Sequence, residues 1–146
     1  MRLALVREEK TVDDRVRSFL EKNHLAVMAT TKRDGTPHVA IIGIGLVDGR
    51  LWSSSTQTRV RTRHVRRDNR ATLCVTDRSN PWAWLAVESE VVIHDGPDAV
   101  DKNLALYKVI RGEPPEDLDE YRRAMVDEQR IIYEFGIKRT YGPVVR

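Results

Sequence analysis

A mainly β fold, a small antiparallel barrel with a few flanking helices, is what this sequence predicts. Three observations point there. Six short runs rich in β-branched and aromatic residues recur along the chain. Turn chemistry at Asp34-Gly35 and Asp48-Gly49 separates neighbouring runs and sets up hairpins. Helical periodicity is confined to a few stretches between the strands.

Taken in order, Thr11 with Asp14 three residues on reads as a helix N-cap, and Val12, Val16, Phe19 and Leu20 then share one face until Asn23 and His24 end the helix. Residues 25–31 form a short apolar run and the first strand. Residues 32–37 are a turn, and residues 38–47 a second strand, hairpinned to the first. Gly43 and Gly45 lie on one face of that strand, which predicts a bulge, a barrel bend or close approach of a flat ligand. After Asp48-Gly49, residues 50–54 are a third strand.

Residues 58–68 have helical spacing, with Val60, His64 and Val65 on one side. Residues 71–76 are a fourth strand and residues 82–93 a long fifth, with Trp82, Trp84, Ala86 and Glu88 on one face. The two tryptophans fit either a stacking platform for an aromatic ring or a core or subunit contact. Asp95-Gly96-Pro97-Asp98 opens a helix that Gly112 breaks, and a further helix covers residues 118–127. Ile131, Tyr133, Phe135 and Ile137 then alternate in a half-buried closing strand over residues 130–138.

At 146 residues the chain fits a single domain, residues 1–146, able to bury a core without staples. Hydrophobic content of 40% and charged content of 32% are those of a folded globular protein. Cys74 is the only cysteine, so no intrachain disulfide forms, and its apolar neighbours read as core. No apolar stretch approaches the roughly eighteen residues that span a bilayer, and the four-residue apolar run near the N-terminus is too short for a signal peptide. These observations predict a cytoplasmic protein.

The chemistry concentrates in residues 51–70. Ser53, Ser54, Ser55 and Thr56 close the third strand, and six arginines, Arg59, Arg61, Arg63, Arg66, Arg67 and Arg70, follow within twelve residues. Hydroxyls and guanidinium forks hold phosphates, and a strand running into a helix start adds free N–H donors. Arg59 and Arg61, at that start, are the candidate anion ligands. Arg63, Arg66, Arg67 and Arg70 read as a solvated face, and His64 as a packed residue or a proton donor. Net charge is only +3 and the C-terminal third is locally acidic, which favours a small anionic ligand over nucleic acid. Walker, nucleophile-elbow, zinc-spaced and dinucleotide-binding motifs are absent from the sequence. An enzyme with this content would rely on a bound cofactor.

The segments ATTKRDGTPHVA (29–40), SSSTQTRVRTRHVRRDNRATLCV (53–75), PWAWLAVESEV (81–91) and LALYKVIRGEPPEDLDEYRRAM (104–125), in this order and spacing, resemble the pyridoxamine-phosphate-oxidase-like superfamily. They are most similar to its actinobacterial flavin/deazaflavin branch. The resemblance implies a six-stranded antiparallel split β-barrel of the FMN-binding type, a homodimer with cofactor sites at the interface, and hydride transfer between coenzyme F420 and an unsaturated small molecule. FMN is the alternative cofactor, serving an oxidase or flavin reductase, and a non-catalytic cofactor-binding protein is a third reading. By motif match, Ser54, Ser55, Arg59 and Arg61 would hold the cofactor's phosphate or acidic tail. His38, Ile41, Ile42 and Gly43 would lie along its ring, Trp82 would reach it from the fifth strand, and His64 joins this set. Arg61 stands where relatives carry lysine, His64-Val65 where they carry Asn-Leu, and Ser89 replaces a common glycine.

Overall fold

The computed structural model describes residues 13–145. The first helix, α1 (Asp14–Lys22), is capped by Asp13, whose carboxylate accepts the Val16 N–H at 2.9 Å. Asp13 thus does the work expected of Thr11; Thr11 and Val12 lie outside the described residues. Val16 and Leu20 are buried, as the periodicity predicts.

Seven strands follow, β1 (Leu25–Thr31), β2 (Pro37–Gly43), β3 (Gly45–Val47), β4 (Arg50–Thr56), β5 (Arg70–Asp77), β6 (Asn80–His94) and β7 (Arg130–Tyr141). They form one antiparallel sheet in the order β2-β1-β5-β6-β7-β4-β3. The helices α2 (Val60–Arg67), α3 (Ala99–Arg111) and α4 (Leu118–Asp127) flank it, and a short 3-10 turn (Pro143–Val145) follows β7. Among the described residues no helix is long and apolar enough to cross a membrane.

The count is seven rather than six because residues 38–47 break at Ile44. Its N–H leaves the ladder and donates to the His24 carbonyl at 2.9 Å, while its side chain is fully buried. The Ser53 hydroxyl fastens the bend by donating to the Gly43 carbonyl at 2.6 Å. A Cβ at Gly45 would come within 3.1 Å of the Leu106 and Val109 side chains. The close approach predicted at the two glycines is therefore made by helix α3. The sheet's two edge strands, β2 and β3, are halves of one bent run, so the sheet curls around one core and no ladder joins β2 to β4. This is the split form of a barrel.

Met28, Leu73, Val75, Leu85, Val87, Ile131 and Tyr133 fill the interior together with Val16 and Leu20 from α1. Burial of each large aliphatic side chain stabilises by about 2 kcal/mol. A second, smaller cluster on the other side of β4 packs Trp52 and Ile132 against Leu106 of α3. Both faces of β4 are thereby covered, a point that matters for its serines.

Gly142 ends β7 at φ +117°, where a Cβ would sit 2.8 Å from the Trp84 ring and 2.9 Å from the Trp84 carbonyl oxygen. Gly142→Ala is expected to destabilise the fold by about 3 kcal/mol, combining backbone strain with displacement of Trp84. Urea unfolding should show a lower midpoint at an unchanged slope.

Candidate functional site

Three elements meet at one end of the barrel. Strand β4 hands over to α2 through residues 57–59, and the turn between α4 and β7 lies beside it. Thr56 pairs with Arg130, and the Gln57 N–H donates to the Gln129 carbonyl at 3.1 Å. The inner face of β2 closes the third side with His38 and Ala40. Between them is a cleft of about 860 Å³ that also takes in Thr56, Thr58, Arg59, Val60, Arg61 and residues 127–130.

The start of α2 is held by a buried polar contact. The Thr62 hydroxyl donates to the Thr56 carbonyl at 2.7 Å and shares a 2.5 Å hydrogen bond with the Tyr133 hydroxyl. Strand β7 thus fixes the helix from below through its own core tyrosine. Arg59 occupies the N-cap position without any side-chain cap bond, so the first-turn N–H groups have no side-chain acceptor.

Arg61 is the unusual side chain of the cleft. Its Nε is hidden from solvent and has no hydrogen-bond partner. Burial pushes the guanidinium below its usual range; the Tyr133 hydroxyl opposes this, while the nearby Arg59 and Arg130 charges reinforce it. An anion in the cleft would satisfy the orphaned donor and relieve the crowding of positive charge. The donor set therefore fits a phosphate: one fork, a second arginine, two threonine hydroxyls and a helix start.

The predicted site residues divide sharply. Arg59, Arg61 and His38 line the cleft. Ser54 and Ser55 do not, because adjacent strand residues face opposite ways. Ser55 points into the barrel with 0% exposure and its hydroxyl unpartnered, while Ser54 faces α3 and donates to the Asn103 side-chain oxygen at 2.5 Å. Thr56 and Thr58 bring hydroxyls to the cleft in their place. On β2 the same alternation sends Ile42 into the core and leaves Ile41 on the outer face, 71% exposed. Gly43 lies beyond the cleft, its α-carbon turned toward Ile110 of α3 and the His24 carbonyl.

Trp82 is 83% exposed on the outer face of β6. Thr72 aligns Ala29, next to the His38 partner Thr30, with Glu88. Trp82 is six residues further along β6, roughly 20 Å from the cleft end of the sheet. Within one chain it does not approach the cleft.

His64 is buried, 6% exposed, behind His38 rather than in the cleft. It borders a second depression of about 590 Å³ on the other side of α2, rimmed by Lys32, Arg33, Arg63, Arg66 and Arg67. Arg66 is fastened to Gln57 at 2.7 Å and Asp95 at 3.1 Å, and Arg67 to the Thr31 carbonyl at 2.6 Å. Val60 borders both depressions. The sequence reading missed Thr58, in the connection from β4 to α2, and Gln129 and Arg130, which reach the cleft only through the long-range pairing of β7 with β4.

Among curated proteins, the chain is similar to the F420H(2)-dependent biliverdin reductase of Mycobacterium tuberculosis. The two are 24% identical over 140 residues, covering 96% of this chain and 94% of that protein. Among solved structures it is similar to an F420 reductase (TM-score 0.66, 25% identity, 86% of this chain and 94% of the other). A conserved hypothetical protein of Mycobacterium tuberculosis shares the fold (TM-score 0.74, 19% identity, 86% and 79% covered). The family model of pyridoxamine 5'-phosphate oxidase matches residues 12–137, a span that takes in every strand pairing around the cleft and all of its lining residues. With barrel, cleft and family model coinciding over that span, the chain belongs to the pyridoxamine 5'-phosphate oxidase family.

Proposed function

We propose that this protein is an F420-dependent reductase, and that the cleft beside Arg61 holds the cofactor. The observation that carries the reading is the shielded Arg61 Nε with no partner in a cleft that also offers Arg59, Thr56 and Thr58. These four residues would hold the phosphate, while His38 and the small Ala40 on β2 would border the ring. When bound, the reduced deazaflavin supplies a hydride. The protein's own part is to orient cofactor and substrate and to exclude water.

F420 is favoured over FMN by the second basic depression. Lys32, Arg33 and Arg63 make no ion pair among the described residues, and they continue the positive lining past Val60. F420 has an acidic tail long enough to use them, whereas the FMN phosphate would end at Arg61. The likeness to an F420H(2)-dependent biliverdin reductase supports the same choice and makes biliverdin the first acceptor to test. FMN in the same cleft, serving an oxidase or flavin reductase, is the alternative, and a non-catalytic cofactor carrier is a third.

We also place two copies of the chain around the site. Trp82, far from the cleft of its own chain, could reach a cofactor only across a subunit boundary, and the outer face of β1 and β2 offers an apolar surface for such a contact.

The test is equilibrium binding of F420 and FMN side by side, followed by absorbance and fluorescence. Preference for F420, together with turnover of an unsaturated acceptor by the reduced form, is the expected result. Tight FMN binding would move the protein to the flavin alternative, and cofactor binding without turnover would favour a carrier.

A further inference from the structure

Reduction of an unsaturated bond consumes a proton as well as a hydride, and the cleft holds a side chain placed to give it. His38 lines the cleft from the inner face of β2, and its Nδ1 is hidden from solvent with no hydrogen-bond partner. Buried polar atoms without partners are uncommon, and one that borders a binding cleft has a ligand as its natural complement. Behind it, the His64 ring meets His38 edge-on, with centroids 5.1 Å apart. His64 is itself tethered, its Nδ1 lying 2.9 Å from the Thr30 hydroxyl. Thr30 and His38 are direct partners across the β1–β2 ladder. Two strands and one helix therefore fix the three side chains as a unit, reaching from one depression to the other.

We propose that His38 is the proton donor of the reduction, and that His64, tethered by Thr30, is the positioning residue that holds its imidazole. This rests on the reductase reading above. The acceptor's double bond takes the hydride, with both its electrons, at one atom. Its π pair shifts to the neighbouring atom, which takes the proton from the N–H of protonated His38. Neutral imidazole remains and regains a proton from water.

The surroundings of the two rings differ. His64 faces His38, and Arg63, Arg67 and Lys32 lie close by; burial first, then these charges, hold it below the usual imidazole range. His38 faces the cleft, which Asp127 and Glu128 share with Arg59, Arg61 and Arg130. Two imidazoles this close in a poorly solvated place do not both charge. Of the pair, His38 is the ring that faces the cleft.

Two measurements on the full chain test this. The first follows imidazole C–H signals by NMR in the cofactor-free protein, assigned with His38→Asn and His64→Gln. His64 is expected to stay neutral at pH values where an ordinary imidazole gains its proton, and His64→Gln should alter the His38 signals. Titration of His64 with His38 silent would overturn the proposal. The second measures biliverdin reduction by reduced F420. His38→Asn should lower kcat by about 100-fold and remove the fall in kcat at high pH. His64→Gln should move that fall rather than remove it. An unchanged kcat and pH profile in His38→Asn would overturn the donor role. Failure of the wild-type chain to bind F420 would overturn the reductase reading and the donor role with it, whatever the NMR titration shows.

Discussion

Replacing Arg61 by alanine is expected to weaken F420 binding about 100-fold, with little change in the stability of the fold. The guanidinium sits where burial and the charges of Arg59 and Arg130 already work against it, and its Nε has no partner among the described residues. The folded state therefore gains little from the side chain. A bound phosphate gains a charge-assisted and geometrically paired contact worth about 2 to 3 kcal/mol in a shielded setting, and about 2.7 kcal/mol corresponds to 100-fold in Kd. Arg61→Lys keeps the charge but loses the fork, so its loss should be about tenfold. Arg59→Ala should cost less still, because that side chain is exposed and screened. Fluorescence titration of F420 against the three variants, with urea unfolding alongside, checks the order. An Arg61→Ala variant with wild-type affinity would remove Arg61 from the site.

Local pattern made much of this fold readable. The apolar run of β1, the alternating apolar residues of β7 and the 3.6-residue spacing of α1 carry their own signal, and α4 runs over the residues expected for it. What escaped depends on partners distant in sequence. The serines of β4 alternate plainly, but one face looks into the barrel and the other at α3, so no contrast in polarity tells which way Ser54 and Ser55 point. Gly43 and Gly45 announced a bend or a close approach, and only the docking of Leu106 and Val109 shows that a helix makes it. Arg130 reads locally as the start of a strand. It becomes a cleft residue because β7 lies next to β4, and His64 meets His38 because α2 crosses the end of the β1–β2 hairpin. The site's anionic character was legible in residues 51–70; its individual ligands were not.

The other large effect is expected at Ile41, on a surface that plays no part in the interior of its own chain. Ile41 is 71% exposed and Val39 is 62% exposed, both on the outer face of the edge strand β2, and Val27 of β1 lies directly opposite Ile41 in the ladder. Edge strands usually carry charges or proline at such positions to prevent association. A row of β-branched apolar side chains there fits a surface covered by a second copy of the chain. In a two-fold dimer each substitution occurs twice. If an unpaired buried carboxylate costs about 3 kcal/mol, Ile41→Asp should weaken the proposed dimer by about 6 kcal/mol in all and shift the chain toward monomer at micromolar concentration. Because Trp82 cannot reach the cleft of its own chain, the monomer should also lose affinity for F420. Light scattering and F420 titration of the same sample separate the two parts of this expectation. An Ile41→Asp variant that remains dimeric would place the subunit contact on another face. A monomer that binds F420 as tightly as the wild type would show that each cleft is complete within one chain and that Trp82 takes no part in it.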